Sequence, residues 1–126
     1  MIRESVQFEN NNSEILQGIL RMPGYPDSGG KRLPAVIICH GFRANKDREI
    51  IFSLWDEISR SGFACLRFDF SGHGESQGRL RDFTITQAVR DIKAAFDLLR
   101  RREEIDSRRV CIVGHAFGGL AGILFT

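Results

Sequence analysis

Apolar and polar residues alternate near the start of the chain, as they do in half-buried strands. Val6 and Phe8 are separated by polar neighbours, and a second run covers residues 15–22. The polar cluster at residues 10–13 lies between the two runs and has the composition of a tight turn. The pattern predicts two antiparallel strands, followed by a loop over residues 23–32 that is rich in Pro and Gly.

The middle of the chain switches between short apolar runs and helical periodicity. Residues 34–39 and 63–68 are apolar runs of strand length. Residues 47–61, and a later segment that begins at Thr84, repeat their apolar positions every three or four residues. Thr84 and Gln87 have the spacing of a capping box. Strands that alternate with helices predict a mainly parallel sheet with helices on both faces.

The last part of the chain contains an apolar run, a glycine-rich turn and a helix of small residues. Residues 110–113 have the composition of a buried parallel strand. The following G-H-A-F-G differs from the G-x-S-x-G nucleophile elbow only at the nucleophile position, where Ala116 stands in place of serine. That turn strains its central residue, and Gly114 and Gly118 lack the Cβ atoms that would block the close approach of helix to strand. An ordinary strand–helix turn is the alternative for these residues alone.

Candidate chemistry also follows the strand at residues 34–39. His40, Gly41 and Phe42 leave its carboxyl end, where the ligand sites of open α/β sheets gather. Acyl transfer needs N–H donors for the developing oxyanion, and a nucleophile elbow takes one from this loop and one from the residue after the nucleophile. We therefore predict the backbone N–H groups of Phe42 and Phe117 as the oxyanion hole, with His40 and Gly41 binding substrate. The alternative is that Gly41 only makes a tight turn.

A third polar segment follows the strand at residues 63–68. It contains Asp69, His73 and Ser76, which are the residue types of a catalytic triad. Proximity in sequence is not triad geometry, however, so we expect these side chains to shape the loop through hydrogen bonds.

Composition narrows the class of protein. The 126 residues are 42% hydrophobic and include 10 Phe, which is enough for the core of one domain. The formal net charge of +2 gives no electrostatic reason to expect a nucleic-acid or anionic membrane partner. No apolar run approaches the roughly 20 residues of a membrane span, and the first residues are too polar for a signal peptide.

The three cysteines are far apart in sequence and lie in or at the end of apolar runs. Cys39, Cys65 and Cys111 are therefore expected to be buried, reduced thiols of a cytoplasmic protein, without a metal or a cofactor. Cys39 directly precedes His40, so a nucleophilic thiol is an alternative. We disfavour it because no neighbouring turn would expose this side chain.

Three segments together resemble the N-terminal half of an α/β-hydrolase. They are H-G-F-R-A-N-K-D, L-R-F-D-F-S-G-H-G-E-S-Q-G and V-G-H-A-F-G-G, in the order of that family. The chain most resembles bacterial feruloyl and cinnamoyl esterases and related serine carboxylesterases. The resemblance covers residues 1–126 and implies a partial α/β-hydrolase domain. It also implies that the strand at 34–39 lies between those at 63–68 and 110–113.

The chain departs from this family at the nucleophile and at its end. Ala116 replaces the serine, and the family order of Ser, acid and His implies that the acid and the His lie in a C-terminal half beyond Thr126. The intact form is expected to hydrolyse a small-molecule ester, whereas this chain is expected to be inactive. A non-catalytic relative that binds a small ester or a partner chain is the alternative. The open edge of the strand at 110–113 is expected to pair with the C-terminal half or with a second copy.

Overall fold

A five-stranded mixed sheet forms the centre of the computed structural model, which describes residues 1–24 and 29–126. Its strands are β1 (Ile2–Glu9), β2 (Ile15–Met22), β3 (Leu33–Cys39), β4 (Ala64–Phe68) and β5 (Ile105–Gly114). The helices are α1 (Glu49–Arg60), α2 (Ile85–Arg100) and α3 (Phe117–Phe125), and a 3₁₀ turn covers Leu80–Asp82. The predicted loop at 23–32 lies partly outside the described residues.

The strands lie in the order β1-β2-β4-β3-β5. The predicted hairpin of β1 and β2 is confirmed, and β2 continues antiparallel onto β4. β3 pairs in parallel with β4 on one side and with β5 on the other, so its predicted central position is confirmed. The carboxyl ends of β3, β4 and β5 therefore lie at the same end of the sheet. The loops that carry the candidate chemistry begin there.

Helices cover both faces of the sheet, as predicted. On one face α2 and α3 pack over the larger apolar cluster, in which Leu66, Phe68 and Ile92 are almost fully buried. On the other face α1 packs on β3 and β4 through Ile51 and Trp55. Each large side chain removed from water in this way contributes roughly 1.5–3 kcal/mol, so these two layers hold the strand ends in place. No described helix combines the length and apolar character that crossing a membrane requires.

The largest difference from prediction concerns β5. It begins at Ile105, which pairs with Leu33 before an irregularity in the β3–β5 register, and not at Val110. Within the described residues β5 pairs only with β3, so it is an edge strand with its apolar run partly uncovered. The expected burial of this run and of Cys111 is wrong, since Cys111 is exposed. An apolar run indicates a buried strand but does not say which neighbours cover it.

The start of α2 confirms half of the predicted capping box. The Thr84 hydroxyl accepts the Gln87 backbone N–H at 3.1 Å. The Gln87 side chain does not return to Thr84, however, but donates to Asn11 and to Asp91, each at 2.8 Å. These bonds tie α2 to the β1–β2 turn, so Gln87 joins two elements and does not close the helix end.

Candidate active site

The turn between β5 and α3 places Ala116 in a strained backbone conformation. Its φ is 53° and its ψ is −116°, and its side chain is exposed. A non-glycine residue with such angles costs on the order of 1–3 kcal/mol and persists only where surrounding structure imposes it. The backbone strain predicted for the centre of an elbow is confirmed.

Two glycines allow the helix to double back on the strand. A Cβ at Gly114 would collide with the backbone of the first turn of α3. A Cβ at Gly118 would collide with the carbonyl groups of Cys39 and His40 at the end of β3. The predicted need for glycine on both sides of Ala116 is thus confirmed. The end of β3 is what excludes a Cβ at Gly118.

The loop after β3 lies directly beside this elbow. A Cβ on Gly41 would be 3.7 Å from the Cβ of Ala116 and 3.5 Å from the His115 carbonyl oxygen. The His115 N–H donates to the Cys39 carbonyl at 3.0 Å, which fixes the elbow to the end of β3. The two segments that sequence analysis singled out therefore meet at one point above the sheet.

The N–H groups of Phe42 and Phe117 stand at this meeting point. Within the described part of the chain, neither donates to a protein acceptor. The Gly41 carbonyl accepts the Ala44 N–H at 3.1 Å, which closes a β-turn whose third residue, Arg43, has a φ of 64°. A positive φ at that position is the mark of a type II turn. The arrangement leaves two backbone donors free near Ala116, while their role in an oxyanion hole stays a prediction.

His40 is fully buried, with an exposed fraction of 0%. Its Nδ1 lies 2.7 Å from the Gly41 carbonyl oxygen, and its Nε2 accepts the Phe70 N–H at 3.1 Å. Desolvation by burial lowers the pKa of His40 to about 4. Substrate binding by His40 and Gly41 stays a prediction, and this geometry favours a contribution from their backbone because the imidazole is already engaged.

The loop after β4 is held by the hydrogen bonds predicted for Asp69, His73 and Ser76. Asp69 accepts the Glu75 N–H at 2.9 Å, and the Ser76 hydroxyl donates to the Asp69 carbonyl at 2.7 Å. His73 Nε2 accepts the Arg43 N–H at 3.0 Å. The three side chains hold backbone groups, Asp69 also binds the Lys46 side chain, and they do not form a triad, so the expected loop-shaping role is confirmed.

Lys46 is a buried residue of the loop after β3 whose role in holding the loop after β4 sequence analysis missed. Its backbone N–H and its Nζ donate to the two carboxylate oxygens of Asp69 at 2.7 and 2.9 Å, and Nζ also pairs with Glu75. Desolvation by burial opposes the charge of Lys46, but the bonds from Glu75 and Asp69 outweigh it and leave its pKa above the ordinary value. A single Lys in a polar stretch carries no signal of burial, because its partners lie on a different loop.

The rings of Phe42, Phe83 and Phe117 form an aromatic cluster at this site. The Phe42 ring stacks on Phe83 with 6.5 Å between centroids and lies 5.8 Å from Phe117. The rings of Phe83 and His73 also pack edge to face, with 4.7 Å between centroids. The Phe42 side chain remains 51% exposed, so the cluster presents an apolar aromatic surface beside Ala116.

Two other kinds of site are disfavoured by the described residues. Cys39 is fully buried, and burial raises the pKa of its thiol far above the ordinary value, which argues against a nucleophilic thiolate. No group of three or more His, Cys, Asp or Glu among residues 1–24 and 29–126 is arranged to hold a metal ion.

Comparison with known proteins agrees with this architecture. The family model described as serine aminopeptidase, S33, matches residues 30–126. The chain belongs to this α/β-hydrolase family. Among solved structures, Est1E from Butyrivibrio proteoclasticus with ferulic acid bound superposes with a TM-score of 0.83 at 27% identity. That alignment covers 95% of this chain and 46% of Est1E.

Curated proteins are also similar to this chain. The quorum-quenching protein AidA of Acinetobacter baumannii is 33% identical over 115 residues, which are 90% of this chain and 36% of AidA. The mitochondrial palmitoyl-protein thioesterase ABHD10 of Bos taurus is 29% identical over 104 residues, 79% of this chain and 32% of that protein. The chain thus spans about a third of the length of these curated relatives.

Proposed function

We propose that this chain forms the N-terminal half of a carboxylic ester hydrolase and is itself inactive. The observation that carries the proposal is the strained elbow at Ala116 beside two free backbone donors, Phe42 N–H and Phe117 N–H. Such donors stabilise the negative charge that develops on an ester carbonyl oxygen during attack. Ala116 has no atom that attacks a carbonyl, so the chain keeps the geometry of an esterase and lacks its nucleophile.

In the intact form, a serine at position 116 would attack the ester carbonyl. A histidine outside this chain would accept the serine proton, return it to the leaving alcohol and then activate water to release the acid product, and an acid outside this chain would orient that histidine. The S33 family membership supports this part of the proposal. No metal or cofactor takes part in it.

A flat aromatic acyl group is the substrate class that we propose, as in feruloyl and cinnamoyl esters. The rings of Phe42, Phe83 and Phe117 lie within 6.5 Å of one another, centroid to centroid, beside Ala116. Aromatic side chains pack favourably against a planar ring. The structural similarity to Est1E, whose structure contains ferulic acid, supports the same class.

A non-catalytic relative that binds a small ester or a partner chain is the second candidate. The absence of a nucleophile at Ala116 suits this candidate, whereas the backbone strain that Ala116 retains, and that glycine would relieve, counts against it. A cytoplasmic location is proposed for either function, since free thiols at Cys39, Cys65 and Cys111 suit a reducing compartment. The exposed edge of β5 is proposed as the pairing site for further chain or a second copy.

The proposal is tested by titrating the ¹⁵N-labelled chain with trans-cinnamate and following its amide signals. The carboxylate should shift the Phe42 and Phe117 amide protons together, because an oxyanion hole accepts a product carboxylate. Cinnamyl alcohol is the matched control and should perturb the aromatic cluster without moving these amides to the same extent. Shifts confined to another surface, such as the groove between β1 and α2 lined by Phe8 and Leu98, would overturn the proposal.

A further inference from the structure

The Phe42 N–H belongs to the peptide unit that joins Gly41 to Phe42. The carbonyl of the same unit, on Gly41, lies 2.7 Å from His40 Nδ1 and also accepts the Ala44 N–H at 3.1 Å. In a trans peptide the C=O and N–H groups are coplanar and point in opposite directions. An imidazole that fixes the direction of the Gly41 carbonyl therefore also fixes the direction of the Phe42 N–H.

A second imidazole holds the next peptide unit, which joins Phe42 to Arg43. Its N–H, on Arg43, donates to His73 Nε2 at 3.0 Å. This is the central peptide of the type II turn, and its orientation distinguishes type II from type I. Arg43 at φ 64° occupies a position that glycine or asparagine normally takes, so the turn needs an external contact to be favoured. His73 supplies that contact.

Both imidazoles are required in the same neutral form. His40 Nδ1 faces the Gly41 carbonyl oxygen, and His73 Nδ1 lies 2.9 Å from the Ser71 carbonyl oxygen. Because a carbonyl oxygen only accepts hydrogen bonds, Nδ1 carries the proton in both rings. Backbone N–H groups only donate, so Nε2 of each ring is the acceptor. An imidazolium ion has no acceptor nitrogen, and protonation of either ring would break its Nε2 bond.

The His73 ring is itself anchored from the helical layer. The Ser71 carbonyl accepts the hydrogen bond from His73 Nδ1, and the Ser71 N–H donates to Asp91 at 2.8 Å. Asp91 is fully buried in α2 and also accepts Asn10 at 2.9 Å and Gln87 at 2.8 Å. A chain of hydrogen bonds thus runs from the β1–β2 turn through α2 to the loop beside Ala116.

We propose that His40 and His73 form a two-histidine clamp that holds the peptide units on both sides of Phe42 and so positions its N–H for an oxyanion. Both are positioning residues, because their ring nitrogens contact backbone groups and not a substrate. The ring centroids lie 5.1 Å apart, which places the two contacts side by side. The purpose of the clamp rests on the proposed function, whereas the clamp itself is a property of the two loops.

The first test is NMR detection of scalar couplings across the N–H···N hydrogen bonds in the uniformly ¹⁵N-labelled chain. Couplings are expected between Arg43 N and His73 Nε2, and between Phe70 N and His40 Nε2. A bond to a protonated ring or to another acceptor gives no such coupling. Absence of the Arg43–His73 coupling at neutral pH would overturn the clamp.

The second test compares His73→Gln with His73→Asn by amide hydrogen exchange. Gln reaches the Nε2 position and retains an acceptor for Arg43, whereas Asn reaches only the Nδ1 position. Exchange at Arg43, referenced to the Ala88 amide in α2, should quicken at least about tenfold in His73→Asn and stay within about threefold of the native chain in His73→Gln. Equal exchange in the two variants would overturn the clamp.

Two further measurements distinguish loss of the clamp from unfolding of the variant and from failure of the proposed function. If Trp55 fluorescence shows that His73→Asn is unfolded, the couplings in the native chain and in His73→Gln decide the question. In folded variants, the cinnamate shift at Phe42 should fall at least about threefold in His73→Asn and survive in His73→Gln. If the native chain shows the N–H···N couplings but no cinnamate shift, the proposed function is overturned. The contacts of the clamp would then be established, but not their role in positioning an oxyanion donor.

Discussion

Ala116 has the strained backbone of a nucleophile elbow, but its side chain has no nucleophilic atom. Its φ of 53° and ψ of −116° lie in a region that L-residues rarely adopt. Because Gly41 and the end of β3 press against the turn, the backbone is not free to relax. The strain at this residue is therefore imposed by neighbouring segments, and it is measurable.

Ala116→Gly should stabilise the chain by about 0.5–2 kcal/mol, since relief of backbone strain exceeds the extra entropy that glycine loses on folding. Urea unfolding followed through Trp55, the single Trp of the sequence, measures this change. Ala94→Gly in the middle of α2 is the matched control and should destabilise by about 1 kcal/mol. Equal destabilisation by both changes would mean that the elbow is not strained.

Ala116→Ser should not restore ester hydrolysis in this chain. A serine hydroxyl at its ordinary acidity needs an adjacent base. His40 and His73 are buried and bonded to backbone groups, so neither is placed to serve as that base. Turnover of p-nitrophenyl acetate should equal that of the Ala116 chain. Turnover above it that a serine-directed phosphonate blocks would assign a base among the residues present.

The neutral state of His40 should make stability depend on pH. Burial lowers its pKa from 6.5 to about 4, so between these values the unfolded chain binds a proton that the folded chain does not. The stabilisation is complete above about pH 6.5 and is lost as the pH falls to about 4, at most about 3 kcal/mol.

Urea unfolding between pH 4 and 7 measures this dependence. His40→Gln should flatten the slope, whereas His115→Gln, at an exposed histidine, should leave it unchanged. Asp91, whose pKa burial raises, contributes with the opposite sign in every variant, so the difference between variants isolates His40. Identical slopes in the native chain and His40→Gln would contradict the assignment.

At the scale of elements, the close contact of α3 with β3 depends on one glycine. A Cβ at Gly118 would overlap the carbonyl groups of Cys39 and His40, which are backbone atoms that cannot turn aside. A Cβ at Gly119, one residue further on, would meet only the Gly114 carbonyl oxygen at 3.3 Å. Neighbouring positions of one helix thus differ sharply in what they tolerate.

Gly118→Ala should cost at least about 2 kcal/mol of unfolding free energy more than Gly119→Ala, because overpacking against backbone costs about 1–3 kcal/mol and alanine otherwise favours a helix. Thermal and urea unfolding of the two variants give the difference. A smaller effect at Gly118 than at Gly119 would show that α3 moves away from β3 at little cost.

At the scale of the whole molecule, an apolar side chain of α3 is exposed beside the open edge of β5. Ile123 is 72% exposed and lines a cavity with Ile112 and Gly114 of β5. An uncovered strand edge flanked by apolar groups favours association. The opposite edge strand, β1, carries Ile2 at 41% exposure and many polar neighbours.

Self-association is therefore expected to occur at the β5 edge. Ile123→Lys should lower the association constant at least about tenfold by adding a charge to the contact, and Ile2→Lys, at the other edge, should leave it unchanged. Sedimentation velocity over a range of protein concentrations measures both. A monomeric native chain, or equal effects of the two variants, would contradict this location.

The local pattern of the sequence determined most of the elements and the position of the elbow, but not the start of β5. Alternation and helical spacing predict β1, β2 and α2 because side chains repeat every two or 3.6 residues whatever surrounds them. Glycines two residues before and after Ala116 predict the turn because a missing Cβ is a local property. The strand order came from resemblance to a family, since pairing is not visible in periodicity.

Only the tertiary structure decided which side chains act on the loop beside Ala116. His73 and Arg43 are 30 residues apart and meet because parallel β3 and β4 end at the same edge of the sheet. The burial of Lys46, the reach of Gln87 to the β1–β2 turn and the exposure of Cys111 have the same origin. Each depends on what a distant segment places next to a residue, and periodicity along the chain does not contain that information.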